Sequence, residues 1–311
     1  MPLVSICIPT YKQVDYLKKC LQSVLSQDFT DYELIISDDT PDDSVKTVVH
    51  DILKDRPFIY LHNKPSLGSP ANWNHAIAQA NGTYIKLLHH DDFFTKPDSL
   101  SCMVREIESK QADFLFTETK VWYPATDFSR IHSLSAKHEQ RMKRDIGFLF
   151  FRNCIGSPSA TLYRRDAAVV FDEKLIWLVD VDFYIQYIQK HKAFCFYKAP
   201  LICTAHETEN QVTGTVIRNR TIQVKEHVLL FDKLIKSGAK PSAFTSFFGY
   251  LFRDFSVMNY KDLVEIVPEA ANHAAFFESV LAHAHAFVFL KKVKRRLYAD
   301  RYINFLKLDQ F

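Results

Sequence analysis

The sequence predicts an α/β fold, a mostly parallel sheet flanked by helices with a helical C-terminal extension. Three observations carry this. Through the first 120 residues, apolar runs of strand length alternate with apolar faces at helical spacing. Such alternation calls for right-handed crossovers and a sheet covered on both faces. Beyond about residue 215 only the helical spacing recurs.

Leu3 to Ile8 is the first strand-length run, and Leu17, Cys20, Leu21, Val24 and Leu25 then fall on one helical face. Glu33 to Ser37 is the second strand, followed by Val45, Val48, Val49, Ile52 and Leu53 at the same spacing. Phe58 to Leu61 precedes a helix carrying Trp73, Ala76, Ile77 and Ala80, and Tyr84 to Leu88 precedes one carrying Leu100, Met103, Val104 and Ile107. Phe114 to Thr117 closes the series. Lys120 to Arg144 is polar, contains Pro124 and reads as a loop or flap. A short helix near Ile146, a turn at Gly156 to Pro158, a strand near Ala160 to Tyr163, a helix near Asp182 to Gln189 and strands in Phe194 to Thr204 follow. The expected division is a catalytic α/β domain over 1–215 and a helical region over 216–311.

Composition narrows the function. The 311 residues are 47% hydrophobic and 24% charged, with 26 Phe, 14 Tyr and 3 Trp, which is a folding chain. Only 7 are Gly, and neither GxGxxG nor GxxxxGK[ST] occurs, which argues against dinucleotide-dependent dehydrogenases and P-loop NTPases. The six cysteines include no CxxC pair, so reduced core thiols are expected rather than a zinc site or disulfide scaffold. The N-terminus has no basic leader and no apolar stretch approaches 18 residues, so the expected compartment is the cytoplasm.

Acids gather at the ends of predicted strands: Asp38 and Asp39 after ELIIS, Asp91 and Asp92 after YIKLLHH. Parallel sheets present their ligands there. Adjacent carboxylates repel unless a cation or hydrogen bonds compensate, and a hard divalent metal is the natural compensator. The competing role, capping the following helix, is common for Asp.

The runs VSICIPTYKQVDYLKKCLQSVLSQDFTDYELIISDDT, GSPANWNHAIAQANGTYIKLLHHDD and VDVDFYIQYI, in this order and spacing, resemble family 2 glycosyltransferases of the nucleotide-sugar-binding GT-A fold over about residues 1–210. The resemblance implies that Thr10, Tyr11 and Asp39 hold the nucleotide base, with Asp38 nearby. It places Asp91 and Asp92 at the metal (Mn2+ or Mg2+) and the donor diphosphate, and makes Asp180 the catalytic base. It also puts Asn74 near the donor and His206 at a metal or phosphate contact. Two positions depart from the family pattern. His89 stands where the first acid of DxDD is usual; because imidazole suits softer ions, Asp91 and Asp92 are expected to do the holding. Val179 replaces the acid before the base, with Asp182 as the alternative base; positions i and i+2 of a helix diverge, so the two cannot face one pocket equally.

The reaction this implies is single displacement on a nucleotide sugar, most plausibly a UDP-sugar, with inversion, to a glycan or lipid-linked acceptor in polysaccharide assembly. A metal would stabilise the departing diphosphate, and one carboxylate would take the acceptor's proton. Rival readings are a sugar nucleotidyltransferase, which would carry a glycine-rich loop that residues 8–16 lack, and a catalytically silent binding subunit. The net charge is +3, with Lys291, Lys292, Lys294, Arg295, Arg296, Arg301 and Lys307 concentrated in the tail. A basic amphipathic tail suits either an anionic membrane surface or a solvated helix face. No nucleic-acid partner is expected.

Overall fold

The computed structural model describes residues 1–54, 56–206 and 216–290, with side chains described as far as residue 283. As far as they are described, these residues form two compact units: one from 1–140, 154–174 and 179–210, the other from 141–153, 175–178 and the chain beyond 211.

The first unit is built on one sheet. β1 (Val4–Thr10) pairs in parallel with β2 (Tyr32–Asp38) and β4 (Tyr84–Leu87), and β2 pairs in parallel with β3 (Ile59–His62). β8 (Thr161–Arg164) runs antiparallel between β4 and β6 (Phe114–Tyr123), and β9 (Phe194–Ala205) is parallel to β6. The short β5 (Asp92–Phe94) is antiparallel to β9, and β7 (Phe128–His132) forms a hairpin with β6. The order is β3-β2-β1-β4-β8-β6-β9-β5. Thus β1 to β4, β6 and β9 run one way, as the mostly parallel sheet requires. Every residue of β1 is buried, as expected for a central strand covered on both faces.

The helices bury the faces their spacing predicts. α1 (Val14–Leu25) buries Leu17, Cys20, Leu21 and Val24, and α2 (Ser44–Leu53) buries Val45, Val49 and Leu53. α3 (Ala71–Ala78) and α4 (Ser99–Ser109) follow β3 and β5, α4 with Leu100, Met103, Val104 and Ile107 inside. At Gly82, just before β4, an added Cβ would come within 2.6 Å of the Ser5 backbone nitrogen, so only glycine allows β4 to approach β1 this closely. The six cysteines are free, five of them buried.

The polar segment 120–144 differs from its expectation. It holds the end of β6, the β7 hairpin strand and α5 (Ala136–Arg144) instead of a loop. β7 has no buried residue and α5 buries only Met142. Periodicity reports burial, and elements with almost none leave no apolar stripe to read.

The second unit is helical, as the sequence predicts, with α7 (Arg220–Lys236), α8 (Thr245–Asp254), α9 (Tyr260–Ile266) and α10 (Ala274–Leu290). Its core is aromatic: Phe231 and Phe277 both pack on Phe248 at 5.1 Å, and Phe150 packs on Phe247 at 4.8 Å. Residues 141–153 and 175–178 belong to this unit although they precede residue 216. The basic tail from residue 291 lies outside the described residues. Among the described residues no helix is long and apolar enough to cross a membrane.

One buried carboxylate organises part of this unit. Glu226 of α7, 2% exposed, accepts the backbone N–H of Ile176 on Oε1 and those of Trp177 and Leu178 on Oε2, each at 2.8 Å. Removing it takes the acceptor from three amide donors, the innermost of them, at Leu178, buried. Glu226→Ala is therefore expected to cost about 2 kcal/mol, lowering the melting temperature by roughly 4–8 °C; an unchanged thermal melt would contradict this role.

Candidate active site

The parallel register brings the sequence's acidic strand ends to one edge. Thr10 lies opposite Asp38, and Asp38 opposite His62, while Leu88 N–H donates to Cys7 carbonyl just past the C-terminal end of β4. There the chain leaves the strands as turns and loops, and polar side chains satisfy the freed backbone groups.

The β1–β2 end is a closed network. Asp39 N–H donates to Thr10 carbonyl, and its carboxylate accepts Asn63 Nδ2 (2.9 Å), Leu67 N–H (3.1 Å) and Gly68 N–H (2.7 Å). Asn63 Nδ2 also reaches Asn72 Oδ1, whose Nδ2 returns to Thr10 carbonyl. Asp39 thus shapes the 63–72 loop. Asp38, fully buried, accepts Thr40 N–H at 2.8 Å and Tyr60 hydroxyl at 2.5 Å, a strut between β2 and β3. Tyr11 is 38% exposed beside this network, and Thr10 Oγ1 is buried with no hydrogen-bond partner among the described residues.

The end of β4 carries the second acidic pair. His89, Asp91 and Asp92 each bring one ligand atom to within 4.8 Å of the other two, a grouping fit for a divalent cation. The turn is tight: Asp92 N–H donates to His89 carbonyl at 3.0 Å, and Asp92 then opens β5. Residues 157–159 brace it from the side. Ser157 Oγ donates to Asp92 Oδ2 at 3.2 Å, and His89 N–H donates to Ser159 Oγ at 3.0 Å. Behind them stands Lys86, fully buried in β4, whose ammonium donates to Ser159 and Thr161 carbonyls.

Burial governs the charges here. It pushes the Asp92 carboxyl well above the usual range, reinforced by Asp91 and opposed by the serines and Lys86. It draws the Lys86 ammonium down to about 7 against the pull of Asp92, and His89 down to about 4 against that of Asp91, leaving a neutral imidazole at neutral pH.

α6 (Val179–His191) presents Asp180 half-buried in its first turn, where Oδ1 accepts Val181 N–H at 2.8 Å. Asp182 points the other way, fully buried, its Oδ2 held by Gln186 at 2.6 Å. Tyr184 lies one turn beyond Asp180 on the same face, and its hydroxyl donates to Gly156 carbonyl at 3.0 Å. Gly156 is the neighbour of Ser157, so the acid-bearing helix and the β4 turn are fastened to one short segment.

The family model of Glycosyl transferase family 2 matches residues 5–171, more than half of the chain. The chain belongs to glycosyltransferase family 2. An uncharacterised protein of Mycobacterium tuberculosis is 26% identical to it over 260 residues, 78% of this chain and 80% of that protein. The GalNAc(5)-diNAcBac-PP-undecaprenol beta-1,3-glucosyltransferase of Campylobacter jejuni is 36% identical over 94 residues, 30% of each chain. Among solved structures, S. aureus TarS 1–349 in complex with UDP-GlcNAc aligns with a TM-score of 0.57 at 15% identity over 91% of both chains. The mannosyltransferase PcManGT of Pyrobaculum calidifontis, in complex with GDP-Man and Mn2+, aligns with a TM-score of 0.55 at 14% identity over 100% of this chain and 87% of its own. At these identities the structures establish the GT-A fold of this family 2 glycosyltransferase.

Within it, the residues expected from sequence divide by placement. Asp91 and Asp92 come together with His89. Asn74 holds the backbone of Phe171 at both ends, Nδ2 to its carbonyl (2.8 Å) and Oδ1 from its N–H (3.0 Å), and so braces the chain ahead of α6. His206 lies beyond the end of β9, two residues past the register partner of Asp92; its ring stacks on Tyr123 at 5.0 Å and is not among the grouped ligand atoms. Lys86 and Ser159 were not legible as site residues. A lysine inside the apolar run YIKLL was the available signal.

A buried acid with a raised pKa is a cost to the metal-free fold, absent below its unfolded pKa and growing as pH rises toward the folded one. Asp92→Asn is therefore expected to melt higher than wild type at pH 7–8 in chelator, with the difference vanishing below about pH 4. A metal ion bound at these oxygens would have to displace that proton, so its affinity would fall as pH is lowered. Equal melting temperatures of the two proteins across this range would contradict the assignment.

Proposed function

We propose that this family 2 glycosyltransferase transfers a sugar, with inversion, from a UDP-sugar to a glycan or lipid-linked acceptor in polysaccharide assembly, at the cytoplasmic face where such donors reside. The observation that carries it is the pairing of two elements on one short segment: the turn that groups Asp91 and Asp92, and the helix that offers Asp180 as a half-buried carboxylate. The glucosyltransferase relative of Campylobacter jejuni and the nucleotide sugars held by the structural neighbours support the reading.

Asp91 and Asp92 would hold Mn2+ or Mg2+, and two carboxyl groups at one strand end fit such an ion, Asp92 giving up its proton to it. Bound there, the ion supplies Lewis-acid stabilisation to the diphosphate as it gains charge. Tyr11 offers an exposed ring to the base, while Asp39, through Leu67 and Gly68, shapes the loop beside it. Asp38 supports that site from within, since its oxygens are engaged by Thr40 and Tyr60.

In the transfer, the acceptor oxygen forms a bond to the anomeric carbon as the bond from that carbon to the diphosphate oxygen breaks. The acceptor's proton passes to Asp180, and the nucleoside diphosphate leaves with the bonding pair. One base and no enzyme nucleophile give a single displacement. Asp180→Asn keeps the shape and removes the basicity; turnover is expected to fall by about 10²–10⁴-fold with donor affinity nearly unchanged. Wild-type turnover in that variant, measured with a panel of UDP-sugars, would refute the base.

A further inference from the structure

We infer that His89 is a third protein ligand of the cation held by Asp91 and Asp92, and that its imidazole makes the site prefer Mn2+ or another transition ion over Mg2+. This rests on the metal-dependent reading above and deepens it.

Geometry places the ring. One imidazole nitrogen lies within 4.8 Å of a carboxylate oxygen of both Asp91 and Asp92. The main chain of His89 is held on both sides: its N–H donates to Ser159 Oγ at 3.0 Å, and its carbonyl accepts Asp92 N–H at 3.0 Å and Cys20 Sγ at 3.8 Å. The ring itself rests on Trp73, with centroids 4.6 Å apart. Backbone and ring are thus both constrained before any ion arrives, which is what a preorganised ligand requires.

A polar observation points the same way. His89 Nε2 is buried and has no hydrogen-bond partner among the described residues. An imidazole nitrogen left so loses its hydration with nothing in return, and orphans of this kind call for an explanation such as a role in the site or an ion. A ring kept only to fill space beside Trp73 would be better supplied by Phe or Leu.

The donor set then decides which ion fits. Mg2+ demands oxygen ligands in near-ideal octahedral geometry and retains its waters. Imidazole suits first-row transition ions and gains strength along that series, whereas two carboxylates alone discriminate little between Mg2+ and Mn2+. Replacing an acid by His89 at this strand end removes one negative charge and one hard oxygen, which penalises Mg2+ most. One nitrogen and two carboxylates also leave a six-coordinate ion room for diphosphate oxygens and water.

The test reads binding and coordination on the metal-free full chain, without turnover. Pulsed EPR of bound Mn2+ is expected to show nitrogen-14 coupling of an imidazole, lost in His89→Asn and kept in His206→Asn. In titrations with MnCl2 or MgCl2, His89→Asn is expected to weaken Mn2+ by at least roughly tenfold and Mg2+ by less than about threefold. His89→Asp should narrow the Mn2+ preference by restoring an oxygen donor. Mn2+ bound without nitrogen coupling in the wild type, coupling that survives His89→Asn, or equal Mn2+ affinity in that variant would overturn the assignment while leaving a two-carboxylate cation site intact. Failure of the wild type to bind Mn2+ at all, with or without UDP, would sink the inference and the metal-dependent reading together.

Discussion

A carboxylate 3% exposed, next in sequence to a second carboxylate, is the constraint around which this site is arranged. In water the pair would be unremarkable; inside the sheet edge, Asp92 has little solvent to stabilise its charge and Asp91 beside it to oppose it. What surrounds it follows from that. Ser157 donates to it, Lys86 places an ammonium deep in β4 behind it, and the β4–β5 turn is closed by its own backbone N–H. None of these removes the strain on the charge, because burial also drives Lys86 toward neutrality. A divalent cation held at the grouped oxygens would compensate that charge, and the proposed reaction would put it to use.

The same economy links the site's halves. The 156–161 segment takes Lys86 on two of its carbonyls, braces Asp92 and His89 through two serines, and receives Tyr184 from the helix that carries Asp180. A handful of neighbouring residues thereby sets the positions of Asp91 and Asp92 and of the helix that carries Asp180. Asn74, gripping Phe171 at both backbone groups, secures the chain ahead of the same helix. Precision in such a site comes from supporting contacts as much as from the residues that meet substrate.

Much of the fold was legible because burial writes periodicity. The buried faces of α1, α2 and α4 fall on the residues picked out by spacing, and the fully buried β1 reads as an unbroken apolar run. The β6–β7 hairpin and α5 escaped because they bury almost nothing. At the site, Asp91 and Asp92 were legible as acids at a strand end, and Asp180 only through the family resemblance. The commitments of Asp38 to Tyr60 and of Asn74 to Phe171 were not, since they depend on partners 22 and 97 residues away that no local pattern reveals. Lys86 was hidden for the same reason: only the sheet shows that its ammonium ends among carbonyls from β8 and the turn before it.

The central claim is that Asp91 and Asp92 bind the donor through a cation rather than touching it directly. Calorimetric titration of UDP into the metal-free full chain, with Mn2+ and then with excess chelator, tests it most directly. Binding at least about tenfold tighter with Mn2+, accompanied by proton release, is the expected result. UDP bound equally well in chelator, with no proton released, would contradict it.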